Sequence, residues 1–106
     1  FRRLEFHGIN HQHISETVAK QWQQQGKDPS QLRLISAHLE AGASLAAIRG
    51  GSFIDTTLGF TPLEGMVMAT RSGSVDPGLL LALMRRGYNP DQIASILQEQ
   101  SGLKGL

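Results

Sequence analysis

Gly50-Gly51 stands between two short apolar stretches, Ala43 to Arg49 and Phe53 to Thr57, and no other feature constrains the fold of this chain as tightly. Glycine reaches the positive φ angles of a two-residue turn without steric cost, so the pair predicts two antiparallel strands joined as a hairpin. Leu32 to His38 is also short and apolar enough for a strand, and it leads into the hairpin through the turn His38-Leu39-Glu40-Ala41-Gly42-Ala43-Ser44. Three mainly antiparallel strands are therefore expected in sequence.

Helix signals flank them. Asn10 can cap a helix whose apolar residues Ile14, Val18 and Trp22 recur at four-residue spacing, and Gly26 stops it. Thr61, Pro62 and Glu64 read as a capping box with proline at the first helical position. Asp76-Pro77 opens a further helix that Gly87 ends after Arg85-Arg86, and Asn89-Pro90-Asp91-Gln92 opens the last, with Ile93, Ile96 and Leu97 on its apolar face. The expected class is α/β (α+β), with about four helices in the order α-β-β-β-α-α-α. No repeat at solenoid spacing and no low-complexity segment interrupts it.

A length of 106 residues with no visible linker argues for one domain, 1–106, and 40% hydrophobic against 18% charged residues is a globular composition. The net charge of +1 gives no long-range field to recruit nucleic acid or an anionic membrane, so any phosphate recognition must be local. No apolar window approaches the roughly 18 residues of a membrane span. The absence of cysteine removes disulfides, thiolate nucleophiles and thiolate metal sites, and suits a reducing compartment such as the cytoplasm. Starting at Phe1 without an initiator Met and ending at Leu106 just after Ser101-Gly102, the chain reads as an excised segment.

Three groups of residues are candidates for chemistry. In the turn from His38 to Ser44, exposed backbone N–H groups could hold phosphate oxygens, although an ordinary β-turn has the same composition. His7, His11 and His13 lie close together, and the first two have the four-residue spacing used by zinc sites. No acidic or thiol third ligand accompanies them at a recognisable spacing, so a metal site is set aside in favour of surface or capping histidines. Arg71 follows Ala69-Thr70 and precedes Ser72-Gly73-Ser74, where a long cation can either cap carbonyls or reach into a cleft. No Ser-His-Asp order, paired catalytic carboxylates or GxxxxGK[ST] loop can be assigned.

Three motifs then give a specific resemblance. The run from Asp55-Thr56-Thr57-Leu58-Gly59-Phe60-Thr61-Pro62-Leu63-Glu64-Gly65 through Ala69-Thr70-Arg71-Ser72-Gly73-Ser74 to Asp76-Pro77-Gly78 resembles the long signature of the acetate kinase family. Phe6-His7-Gly8-Ile9-Asn10-His11 is similar to its FHGTSH motif, and His38 to Ser44 to its HLGNGAS loop, both in the expected order. The resemblance implies a partial ribonuclease-H-like domain from the carboxyl-terminal half of an enzyme in the actin-like ATPase superfamily. It implies exchange of a phosphoryl group between Mg-ATP and acetate, giving acetyl phosphate and ADP, in the cytoplasm.

By that similarity His7 and Arg71 stabilise the transition state. His38, Leu39, Glu40, Ala41 and Gly42 form the ATP phosphate loop, His11 is a neighbour of the site, and no residue here is a metal ligand. The family's metal, acetate and adenosine contacts have no counterpart in the chain, and positioning of this kind can account for roughly 7 to 11 kcal/mol of a barrier. The isolated chain is therefore expected to be inactive and to bind Mg-ATP weakly or not at all. The alternative is an engineered or autonomously folding, self-associating structural module without catalysis. Exposed strand edges and apolar helix faces make self-association into a homo-oligomer the expectation under either reading.

Departures from the family pattern fall within these motifs. Glu40 and Ala41 replace Gly and Asn, Ile9 and Asn10 replace Thr and Ser, Ala69 replaces Gly, Leu4-Glu5 replaces an aromatic-Gly pair, and Phe53 occupies a commonly polar position. If Glu40 pointed inward, a like charge at about 4 Å and an effective dielectric near 20 would oppose phosphate by roughly 4 kcal/mol.

Overall fold

A computed structural model describes residues 2–106. Helix α1 spans Gly8–Gln24 and is followed by a 3-10 turn at Pro29–Gln31. Strands β1 (Arg33–Leu39), β2 (Ala43–Arg49) and β3 (Ser52–Thr56) come next, then helices α2 (Pro77–Arg85) and α3 (Pro90–Glu99) and a closing 3-10 turn at Gly102–Gly105. The strands form one antiparallel sheet in the order β1-β2-β3. The expected fold class is the one observed.

The hairpin turn works as its glycines predict. Arg49 pairs with Ser52, and Gly50 and Gly51 cross between them at φ +54° and +84°. A side chain at Gly50 would also press on the Ser30 carbonyl, 2.8 Å from where its Cβ would lie. A register shift between Ala47 and Ile48 bends the strand pair farther from the turn.

Cross-strand partners share a face, so Leu34, Ser36 and His38 of β1 lie on the same side as Ile48, Ala46 and Ser44 of β2. Helix α1 covers this side, with His11 and Ser15 buried against it. The opposite side carries Ile35, Leu39 and Ile54, which are 75%, 66% and 63% exposed. Apart from its end at the β1–β2 turn, where Ala43 packs against Leu58 and Met68, that apolar face has no covering layer among the described residues. The chain is correspondingly elongated, with a radius of gyration of 17.3 Å and extents of 61 × 26 × 18 Å, against a radius of about 13 Å for a compact domain of 100 residues.

Two sequence-based expectations are corrected here. The segment from Thr61 is not helical, so the α-helices number three among the described residues, and Thr57 to Asp76 runs as an irregular but closely tied segment. The Thr61 hydroxyl does accept from the Leu63 N–H at 3.3 Å, but the turn cannot propagate. Gly65 takes φ +105° and packs so close to the Thr57 carbonyl that no Cβ would fit. Ser74 then holds it, through Ser74 N–H to the Gly65 carbonyl at 2.9 Å and Gly65 N–H to Ser74 Oγ at 3.1 Å. Tertiary ties have overridden local propensity.

The second correction is that α1 begins earlier than Asn10. Its N-cap is His7, which makes no side-chain cap bond, while the Asn10 side chain is used elsewhere. The capping box at Asn89 and Gln92 forms in both directions as expected. Asp76 caps α2 by accepting from the Gly78 N–H at 2.7 Å.

The irregular segment carries the tightest core. Leu58 and Met68 are fully buried with Ala43, and Met66 packs against them. Backbone bonds from Ala69 N–H to the Ala41 carbonyl (3.2 Å) and from Ser72 N–H to the Leu97 carbonyl (2.9 Å) fasten it to the sheet on one side and to α3 on the other. These ties bring Arg71 up to the β1–β2 turn.

Candidate functional site

The site lies where three elements meet: the start of α1, the β1–β2 turn and the end of the irregular segment. Gly42 marks the meeting point. A Cβ on Gly42 would lie 3.3 Å from Arg71 Nη1 and 3.5 Å from His7 Nε2. The absent side chain thus leaves an opening that an imidazole and a guanidinium border together. Arg71 is held by Nη1–H donation toward the Pro62 carbonyl at 3.4 Å, with Met68 Sδ 3.8 Å away.

His7 stacks on His38 with ring centroids 3.8 Å apart and planes 14° from parallel. His38 is oriented from below by Asn10, whose Nδ2–H donates to His38 Nδ1 at 2.9 Å. The other ring nitrogen of His38, Nε2, faces Glu40 Oε2 at 3.8 Å. Burial is the largest influence on His7 and lowers its pKa below the usual histidine range. His38 and Arg71 push the same way, while Glu5 and Glu40 oppose them.

Of the residues singled out in the sequence, His7, Arg71, His38 and Gly42 converge. Glu40 turns outward with its side chain 76% exposed, so the inward-pointing carboxylate is not the conformation adopted. Leu39 points to the open side of the sheet, 66% exposed. Ala41 joins through its backbone carbonyl, the acceptor for Ala69 N–H. His13 is exposed on α1 and takes no part.

Behind His7 lies a buried polar network that linear spacing did not reveal. Arg3 Nη1–H donates to the Thr56 carbonyl at 3.0 Å and Leu4 N–H to the Gly59 carbonyl at 3.0 Å, which pins the leading segment and turns Glu5 inward. Glu5 accepts from the His7 N–H at 2.8 Å and from the Thr56 hydroxyl. Ser44 Oγ lies 2.8 Å from His7 Nδ1 and 3.0 Å from His11 Nε2, and His11 Nδ1 meets Ser36 Oγ at 2.8 Å. His11 is fully buried, and desolvation lowers its pKa, with Glu5 opposing and His38 and His7 adding to the decrease. The signal for this network was the alternation of Ser36, His38 and Ser44 on one sheet face. The third acidic donor that the spacing did not offer is Glu5, whose ligand atom lies within 4.8 Å of those of His7 and His11.

Solved structures that share this fold define the class as acetate and propionate kinases. The crystal structure of the Porphyromonas gingivalis acetate kinase superposes with a TM-score of 0.86 at 42% identity over 97% of this chain and 25% of that one. A propionate kinase from Francisella tularensis gives 0.87 at 39% identity, over 97% of this chain and 26% of that one. The family model for the acetokinase family matches residues 1–106, and the chain belongs to that family. Acetate kinases of Microcystis aeruginosa and Gloeobacter violaceus are 52% and 55% identical over 99% of this chain. The chain spans about a quarter of the length of these relatives, 26% and 25% respectively.

Proposed function

We propose that this chain supplies the phosphate-side part of an acetate kinase active site, in which His7 and Arg71 stabilise a phosphoryl group in transfer from Mg-ATP to acetate. The observation that carries the reading is the shared opening over Gly42, bordered by His7 Nε2 and Arg71 Nη1. In-line phosphoryl transfer spreads charge over three equatorial oxygens, so catalysis rests on positioning and on donors fixed in advance. Arg71 offers a planar guanidinium whose donors match phosphate oxygens in pairs. His7, stacked on His38 and held from behind by Ser44, offers a ring that cannot swing away. The turn from His38 to Gly42 approaches the phosphates with its backbone, and the small residue at 42 allows close contact.

The chain spans about a quarter of its relatives' length, and on this reading the acetate and adenosine contacts come from the part that it does not span. Alone, the chain binds nucleotide weakly at most and does not turn over. In its isolated state the open sheet face, with Ile35, Leu39 and Ile54 exposed, favours a second reading for its behaviour in solution: association with another copy.

The test is a chimaera in which this segment replaces its counterpart in the Porphyromonas gingivalis acetate kinase, assayed for acetyl phosphate. A working chimaera whose kcat falls by about 10²-fold or more in His7→Ala and in Arg71→Ala supports the assignment. A working chimaera indifferent to both substitutions overturns it.

A further inference from the structure

We infer that Glu5, His7 and His11, with the hydroxyl of Ser44, form a zinc-binding site behind the phosphate opening. The three ligand atoms lie within 4.8 Å of one another, with His11 fully buried and the Glu5 side chain only 13% exposed. Two imidazoles and one carboxylate, leaving a fourth position for an oxygen, are a donor set that zinc takes.

The spacing of the donors fits the same ion. Ligands about 2.0 to 2.2 Å from a tetrahedral zinc stand roughly 3.3 to 3.5 Å from each other. Here Ser44 Oγ is 2.8 Å from His7 Nδ1, 3.0 Å from His11 Nε2 and 3.5 Å from Glu5 Oε1, and His11 Nε2 is 3.8 Å from Glu5 Oε1. These four edges bracket the tetrahedral value, and the remaining separations among the Glu5, His7 and His11 ligand atoms stay within 4.8 Å.

Outer contacts orient the donors. His11 Nδ1 meets Ser36 Oγ at 2.8 Å, and in the tautomer that donates to Ser36 the Nε2 lone pair points at the cluster. Glu5 is fixed by the His7 N–H and the Thr56 hydroxyl. His7 turns Nδ1 to this cluster and Nε2 toward Gly42 and Arg71. Zinc on Nδ1 leaves the Nε2–H directed at the opening, so the site supports the phosphate-side role of His7 rather than competing with it.

The test is zinc titration of the chain in competition with a chromogenic chelator, with circular dichroism confirming that each variant is folded. One zinc per chain is expected, with affinity reduced at least about tenfold in Glu5→Gln and unchanged in His13→Ala. Equal affinity in Glu5→Gln, or equal loss in His13→Ala, overturns the proposal. Cobalt substitution of the unmodified chain gives an independent reading that no folding defect can mimic. Intense visible d–d bands of a four-coordinate ion are expected, and the weak spectrum of octahedral cobalt counts against the site.

Discussion

The His7 ring lies flat on that of His38, with 3.8 Å between their centroids, and Asn10 fixes the lower ring through its Nδ1. Burial first, and then the neighbouring His38 ring, disfavour a charge on His7. Because His7 and the neighbouring His11 are shielded from water, both titrate below the ordinary value of 6.5.

That shift has a definite sign for stability. Below pH 6.5 the unfolded chain takes up protons that the folded chain resists, so stability is fully present above 6.5 and is lost as pH falls toward the folded pKa values. Urea denaturation of chelator-treated protein between pH 7.5 and 5 will show a midpoint that falls with pH. His11→Asn will flatten the dependence, and a midpoint constant across this range is the contrary result.

Gly42→Ala tests the opening directly. Its added methyl lies 3.3 Å from Arg71 Nη1 and 3.5 Å from His7 Nε2, a fit that flexible side-chain tips can accommodate. Thermal stability is expected to change by less than about 1 kcal/mol, while the chimaera loses at least about tenfold in kcat/KM for ATP, roughly 1.4 kcal/mol of transition-state binding. Unaltered kinetics would place phosphate elsewhere.

Glu40→Gly combined with Ala41→Asn restores the residues of the family loop. With Glu40 76% exposed, the repulsion is screened, so the gain is expected to fall well short of the three powers of ten that an inward carboxylate implies. Calorimetric titration of Mg-ATP in about 0.15 M salt, where the Debye length is about 8 Å, should show less than about tenfold tightening. A gain of a hundredfold or more would mean that Glu40 turns inward when nucleotide arrives.

Leu58→Ala removes the centre of the core that ties the irregular segment to β2. Leu58 is fully buried against Met68 and Ala43, and truncation at such a position costs about 2 to 5 kcal/mol. Chemical denaturation measures it, and a loss under 1 kcal/mol would show that this cluster does not hold Arg71 in place.

The open sheet face gives a prediction in solution. Ile35→Lys with Ile54→Lys places charge on positions that are 75% and 63% exposed. Sedimentation velocity is expected to show a concentration-dependent oligomer for the unmodified chain and a monomer for the double variant. A monomer in both cases removes the self-association reading.

Local chemistry by itself determined the hairpin at Gly50-Gly51, the three strands in order, and the helices opened by Asp76-Pro77 and Asn89-Pro90. Each depends on φ preference, capping or apolar periodicity within a few residues, and those forces act before any distant contact forms. The motif residues also named the family and singled out His7, His38, Gly42 and Arg71. Tertiary structure decided the rest. Gly65 at φ +105°, held by Ser74, cancelled a well-formed helix start at Thr61. Contacts spanning more than 30 positions in the chain joined Glu5 and His7 to Ser44, and no local pattern encodes a pairing of that range. Glu40 turned outward for a related reason: the Ala41 carbonyl is tied to Ala69, and the direction of a turn side chain follows from the packing on both sides of the turn.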